Sequence, residues 1–132
     1  MAHRAELIAV GTEILLGNII NTDAQILSER LAELGIDVLY HTVVGDNAER
    51  LRQALELART RVDIIITTGG LGPTYDDLTK QTICKTFGRE NVLHPELEDW
   101  LRKLFAARGR AMTENNLQQA YLPENCTVFH NH

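Results

Sequence analysis

The sequence predicts an α/β fold, a three-layer α/β/α sandwich built on a mainly parallel sheet. Three observations carry that expectation. Short, mostly apolar runs alternate along the chain with stretches whose apolar residues recur at helical spacing. The apolar runs read as strands buried on both faces. Glycine or a capping residue punctuates nearly every change of pattern. Strands alternating with helices in this way imply right-handed βαβ crossovers and a sheet covered on both sides.

Ala5-Glu6-Leu7-Ile8-Ala9-Val10 forms the first strand and stops at Gly11, which permits a sharp exit. Ala24, Leu27, Leu31 and Leu34 then fall on one helical face, with Asn21 or Thr22 as N-cap and Gly35 just past the end. Ile36 to Val44 is a second strand, rich in β-branched and aromatic residues and closed by Gly45. Asp46 with Glu49 resembles a capping box ahead of a helix carrying Leu51, Ala54, Leu55 and Ala58. Val62-Asp63-Ile64-Ile65-Ile66-Thr67 is the clearest buried strand, broken by Gly69-Gly70. Leu78 to Phe87 reads as a helix ended by Gly88. Pro95 opens another, with Leu97, Leu101 and Leu104 inward, and Thr113 caps a shorter one running to Gln119.

The 132 residues suit one domain able to bury a core, and no repeat or linker divides them. Asp and Glu outnumber Lys and Arg by 18 to 13, for a net charge of −5. That balance argues against a duplex DNA partner, which needs a basic face. It leaves room for a nucleotide, whose phosphates a few backbone N–H groups and a metal ion can hold. Cys84 and Cys126 share no metal-ligand spacing and read as reduced thiols. Glu6 interrupts the first apolar run too early for a secretory signal, and no run approaches the roughly 20 residues of a membrane span. A cytoplasmic protein without nucleic-acid or membrane partners is expected.

In an open α/β sheet, ligands collect at the carboxyl ends of the strands. Three loops leave such ends here: Gly11-Thr12-Glu13, Gly45-Asp46-Asn47, and Gly69 to Asp77. In the third, Gly69, Gly70 and Gly72 let backbone N–H groups turn toward an anion, while Thr67, Thr68 and Thr74 add hydroxyls. Asp76 and Asp77 follow where a helix should start. They either cap that helix or, straight after a phosphate-type loop, hold Mg²⁺ together with ligand phosphates. No Gly-Lys-Ser/Thr follows, so this is not a Walker A loop, and the glycines do not follow the first strand as in a dinucleotide fingerprint.

These segments resemble the molybdopterin-binding domain of CinA-like proteins, a branch of the molybdenum-cofactor-biosynthesis domain superfamily. The resemblance rests on Gly11 to Thr22, Thr42 to Asn47, Thr68 to Thr74 with Asp76-Asp77-Leu78-Thr79, and Arg108 to Asn116, all in order. It implies a mixed, mainly parallel sheet and a nucleotide or pterin ligand. It also implies self-association into a homo-oligomer and a divalent metal such as Mg²⁺. It places Asp77 where metal and substrate meet, Asp46 facing the pocket, Glu13 where relatives carry Asp or Glu after the first strand, and Gly69, Gly70 and Gly72 as the phosphate cradle. Such domains usually continue with an Asn-Pro-x-Gly-Thr-Ala-Pro-Gly-like segment that closes over the ligand. This chain stops at Phe129-His130-Asn131-His132, so a domain lacking that closing segment is expected.

The first activity that the resemblance implies is metal-assisted hydrolysis of ADP-ribose or a related nucleoside-diphosphate sugar. Asp77 and Asp46 would be the catalytic carboxylates, and Asp77 and Asp76 the metal ligands. Gly69, Gly70, Gly72, Thr68, Thr74, Glu13 and Asn21 would contact the ligand. The alternatives are molybdopterin binding or adenylylation, and a non-catalytic binding module. Several residues have readings that need no ligand. Asn21 serves as a helix cap, His41 as a structural residue in an apolar run, Cys84 as a small apolar side chain, and Arg102, Lys103, Arg108 and Arg110 as a solvated face. Tyr75 could stack on a ring, and His130 with His132 could take an adventitious metal.

Overall fold

The structure is a computed structural model and describes residues 2–130, so His132 lies outside the described residues. In chain order it contains β1 (Arg4–Val10), α1 (Thr12–Leu15), α2 (Thr22–Glu33), β2 (Asp37–Val44), α3 (Ala48–Arg59) and β3 (Ile64–Thr68). There follow α4 (Thr79–Phe87), β4 (Asn91–Leu93), α5 (Pro95–Ala107), α6 (Glu114–Leu117), a 3₁₀ turn (Gln118–Ala120) and β5 (Tyr121–Pro123).

β1 is the middle strand of a three-stranded parallel sheet in the order β2-β1-β3. Its side chains alternate between two cores, as the two-residue period of a strand requires. Ala5 and Leu7 meet Ala24, Leu27 and Leu31 of α2, while Ile8 and Val10 meet Leu51, Leu55 and Ala58 of α3, with Ile83 of α4 alongside. Leu51 and Leu55 are fully buried, and each contributes roughly 1.5–3 kcal/mol by leaving water. The helices therefore cover both faces, as the three-layer expectation requires.

The connections position the site. β1 leads into α2 on one face, whereas β3 leads into α4, which packs beside α3 on the other. Adjacent strands whose exits diverge leave a crevice at their carboxyl ends, and here it lies between β1 and β3.

Several details differ from the sequence expectation. β3 is half-buried along its whole length because, among the described residues, β1 is its only partner in the sheet. His41 is exposed on the edge strand β2 and hydrogen-bonds Ser28 (Nε2 to Oγ, 2.9 Å). The antiparallel pair β4–β5 was not foreseen: three-residue strands are too short to show a period, and Pro123 obscures the second. α3 is capped by Asn47, whose Oδ1 accepts the Arg50 N–H at 3.0 Å, and not by Asp46. Glu49 instead pairs with Arg52.

Glu6, which interrupts the first apolar run, is wholly buried and bonds the Arg61 guanidinium, with Nε donating at 2.9 Å. That guanidinium lies over the Tyr40 ring, 3.6 Å from its centroid. Cys84 is buried as expected, and burial pushes its thiol pKa up. Arg102 and Lys103 pair with Glu98 and Asp99 on the exposed face of α5. Among the described residues, no helix is long and apolar enough to cross a membrane.

Candidate functional site

The three loops identified from sequence meet at the carboxyl ends of the strands. The Gly11 N–H donates to the Val44 carbonyl at 2.9 Å. Thr12 and Asp46 then bond reciprocally: the Asp46 N–H donates to Thr12 Oγ1 at 3.1 Å, and the Thr12 N–H to Asp46 Oδ2 at 3.4 Å. This exchange is what draws Asp46 away from capping α3. Glu13 is exposed and folds back over Gly11, where an added Cβ would lie 2.7 Å from its Oε1.

The third loop can be made only with glycine. Gly69 has φ +84°, and a Cβ there would stand 2.2 Å from the Val10 carbonyl oxygen, at the end of the central strand. Gly70 has φ +68°, and a Cβ there would stand 2.0 Å from Thr79 Oγ1. Fully buried Thr79 fixes the turn: its hydroxyl donates to the Gly69 carbonyl at 2.8 Å, and its N–H to the Gly70 carbonyl at 3.2 Å. The loop thus lies over β1, across the β1/β3 crevice, shaped by contacts from both strands' exits.

Asp77 does not cap α4, which begins two residues later with no side-chain cap. Its Oδ2 accepts from Thr74 twice, from the hydroxyl at 2.7 Å and the N–H at 2.9 Å. The Thr74 hydroxyl bond is the main reason its pKa falls below the ordinary aspartate value. Partial burial opposes this, while the Thr74 and Gly72 N–H groups and the charge of Lys80 add to it. Asp77 is therefore ionised at neutral pH, and Thr74 directs its N–H and its hydroxyl inward to it. Asp76 and Tyr75 are exposed beside it, and Thr68 is half-buried at the end of β3. Asn21 caps α2, its Oδ1 accepting the Ala24 N–H at 3.3 Å. Among the described residues, no three His, Cys, Asp or Glu side chains gather to hold an ion by themselves.

Two residues that sequence reading left without a role shape this loop. Thr79 ends the Asp76-Asp77-Leu78-Thr79 segment, but its partner Gly69 lies ten residues back. Lys80 is buried and donates to the carbonyls of Gln118 (2.7 Å) and Tyr121 (2.9 Å). Burial lowers its pKa, while Cys84 and Asp77 pull it the other way. Gln118 returns to the loop, its Nε2 donating to the Asp77 carbonyl at 3.4 Å. Residues 118–121 are thereby tied to the candidate site.

A family described as "Probable molybdopterin binding domain" matches residues 6–129. The chain belongs to this family. A CinA-like protein from Dictyoglomus thermophilum is 54% identical over 128 residues, which are 97% of this chain and 31% of that protein. The chain thus spans under a third of the length of such curated relatives, 31% in that case. The crystal structure of CinA from Thermoplasma acidophilum, described as of unknown function, aligns with TM-score 0.84 at 33% identity, over 98% of this chain and 76% of that one. The molybdopterin biosynthesis Mog protein from Mycobacterium ulcerans aligns with TM-score 0.58 at 29% identity, over 81% of this chain and 68% of that one. The CinA-like resemblance and the α/β architecture expected from sequence both hold.

Proposed function

We propose that this domain binds a phosphorylated pterin of the molybdopterin class, as a part of molybdenum cofactor biosynthesis. The observation that carries the reading is the Gly69-Gly70 turn, which only glycine can make, held by buried Thr79 at the β1/β3 crevice. Such a turn presents backbone N–H groups to an anion. The family match and the Mog relative point to a pterin as the molecule that carries the phosphate. They reverse the order of the two sequence expectations, placing pterin binding ahead of ADP-ribose hydrolysis.

Asp46 stands beside Thr12 just past the end of β1, and Asp77 lies in the loop that follows β3. Mg²⁺ commonly takes one or two protein carboxylates and completes its shell with phosphate and water, so this donor set fits it only in company with a ligand's phosphates. Asp77, with Asp46 or Asp76, would hold the ion, which would supply charge neutralisation on the phosphates. The chain's own part is to orient the anion on Gly69 to Leu71 and to hold the Asp77 carboxylate in place through the Thr74 N–H and hydroxyl.

Titration calorimetry with neopterin monophosphate, with and without Mg²⁺, tests the reading, alongside an assay of AMP release from ADP-ribose. Saturable pterin binding that weakens in Asp77→Asn, without AMP release, supports it. Metal-dependent AMP release that disappears in Asp77→Asn would return ADP-ribose hydrolysis to first place.

A further inference from the structure

A cavity of about 270 Å³ lies between the first turns of α2 and the end of β3, lined by Asp23, Ile26, Leu27 and Thr68. It opens on the α2 face of the sheet, and Gly69 follows Thr68 directly, so the cavity and the phosphate loop meet at the end of one strand. A ligand with a flat ring and a phosphate can sit across this crest with one end in each. Ile26 is 57% exposed and Leu27 half-buried, which gives the cavity an apolar wall partly open to solvent. Asp23 is exposed and forms no ion pair among the described residues. Apolar walls with one or two placed polar groups are the usual make-up of a small-molecule pocket.

We propose that this cavity is the ring subsite of the phosphate-binding site and that Asp23 selects a 2-amino-4-oxo ring, the heterocycle shared by pterins and guanine. The inference rests on the phosphorylated-pterin reading above. A 2-amino-4-oxo ring presents an N3–H and an amino N–H side by side, and a carboxylate accepts both in one plane as charge-assisted bonds. Adenine has an acceptor nitrogen at the equivalent edge, whose lone pair a carboxylate repels. Ile26 and Leu27 contact the ring face, and the Thr68 hydroxyl lies beside its edge. A site built to accept a donor pair rejects rings that lack it, because its acceptor is then left unpaired. The same carboxylate in the first turn of α2 also suits the helix dipole, but that role would confer no preference among rings.

The test measures affinity for neopterin monophosphate, GMP, AMP and inorganic pyrophosphate in the full chain and in Asp23→Asn and Ile26→Trp. Asn at the same position keeps the size of the side chain and suits a helix start, so the fold is expected to persist. The expected result is a preference of about tenfold or more for neopterin phosphate and GMP over AMP, the scale of one charged hydrogen bond. That preference is lost in Asp23→Asn, and ring binding falls in Ile26→Trp, while pyrophosphate binds all three proteins alike. Comparison of neopterin phosphate with GMP then identifies which of the two ring sources fits. Pyrophosphate binding with no ring preference, or a preference that survives in Asp23→Asn, overturns the subsite and leaves the phosphate loop standing. Failure of pyrophosphate and every ring phosphate to bind the folded chain overturns both readings.

Discussion

The Thr79 hydroxyl oxygen stands 2.0 Å from the point where a Cβ on Gly70 would be, and the same hydroxyl donates to the Gly69 carbonyl at 2.8 Å. Hydroxyl and missing side chain fit each other, and neither can change alone. Thr79→Val keeps the shape but leaves the Gly69 carbonyl without its donor, at a cost of about 1–3 kcal/mol. Gly70→Ala meets both a positive φ and the Thr79 oxygen. Both variants are expected to melt lower than the parent in thermal unfolding and to lose phosphate affinity, with Gly70→Ala the more severe.

Asp77 predicts a pH dependence. Its folded pKa lies below the ordinary value of 3.8, so the stability it contributes is complete above that pH and is lost as pH falls through the folded value. Urea unfolding between neutral pH and pH about 2 should show this loss in the parent and a smaller one in Asp77→Asn. In Thr74→Ala the main cause of the shift is gone, and an NMR titration of Asp77 should move up toward the ordinary value.

Lys80 predicts a local effect. Lys80→Met removes the donor to Gln118 and Tyr121 and frees the 118–121 segment from α4. The His94 N–H, bonded to the Ala120 carbonyl at 3.0 Å, should then exchange with solvent faster while the amides of β1 keep their protection. Equal loss of protection in both places would show that Lys80 supports the whole fold instead.

Glu6 and Arg61 predict strong coupling. Arg61→Met strands a wholly buried carboxylate and should cost about 3–5 kcal/mol in denaturant unfolding, whereas adding Glu6→Gln should recover much of that loss. Additive losses in the double variant would count against the pair acting as a unit.

How much of this was legible follows from the range of each interaction. β1, the glycine exits and the Asn21 cap depend on neighbours a few residues away, and sequence pattern captured them. The cap of α3 slipped by one residue because Asp46 is drawn to Thr12, 34 residues earlier, a pull no local pattern contains. β3 looked like an interior strand because its apolar run records composition, whereas its half-exposure comes from its place at the edge of the sheet. Among the candidate site residues, Gly69, Gly70 and Asp77 stood out by type and spacing. Lys80 did not, since its partners lie 38 and 41 residues away and a lysine in a helix usually faces solvent.

The Thr79 lock also bears on how fast a ligand can be captured. A turn already held by buried groups has no slow ordering step to complete when an anion arrives, so little conformational entropy is surrendered on association. Stopped-flow traces should then be single exponentials whose rate rises linearly with ligand concentration. Loosening Thr79 should convert this direct encounter into one that saturates, limited by how often the turn visits its competent shape.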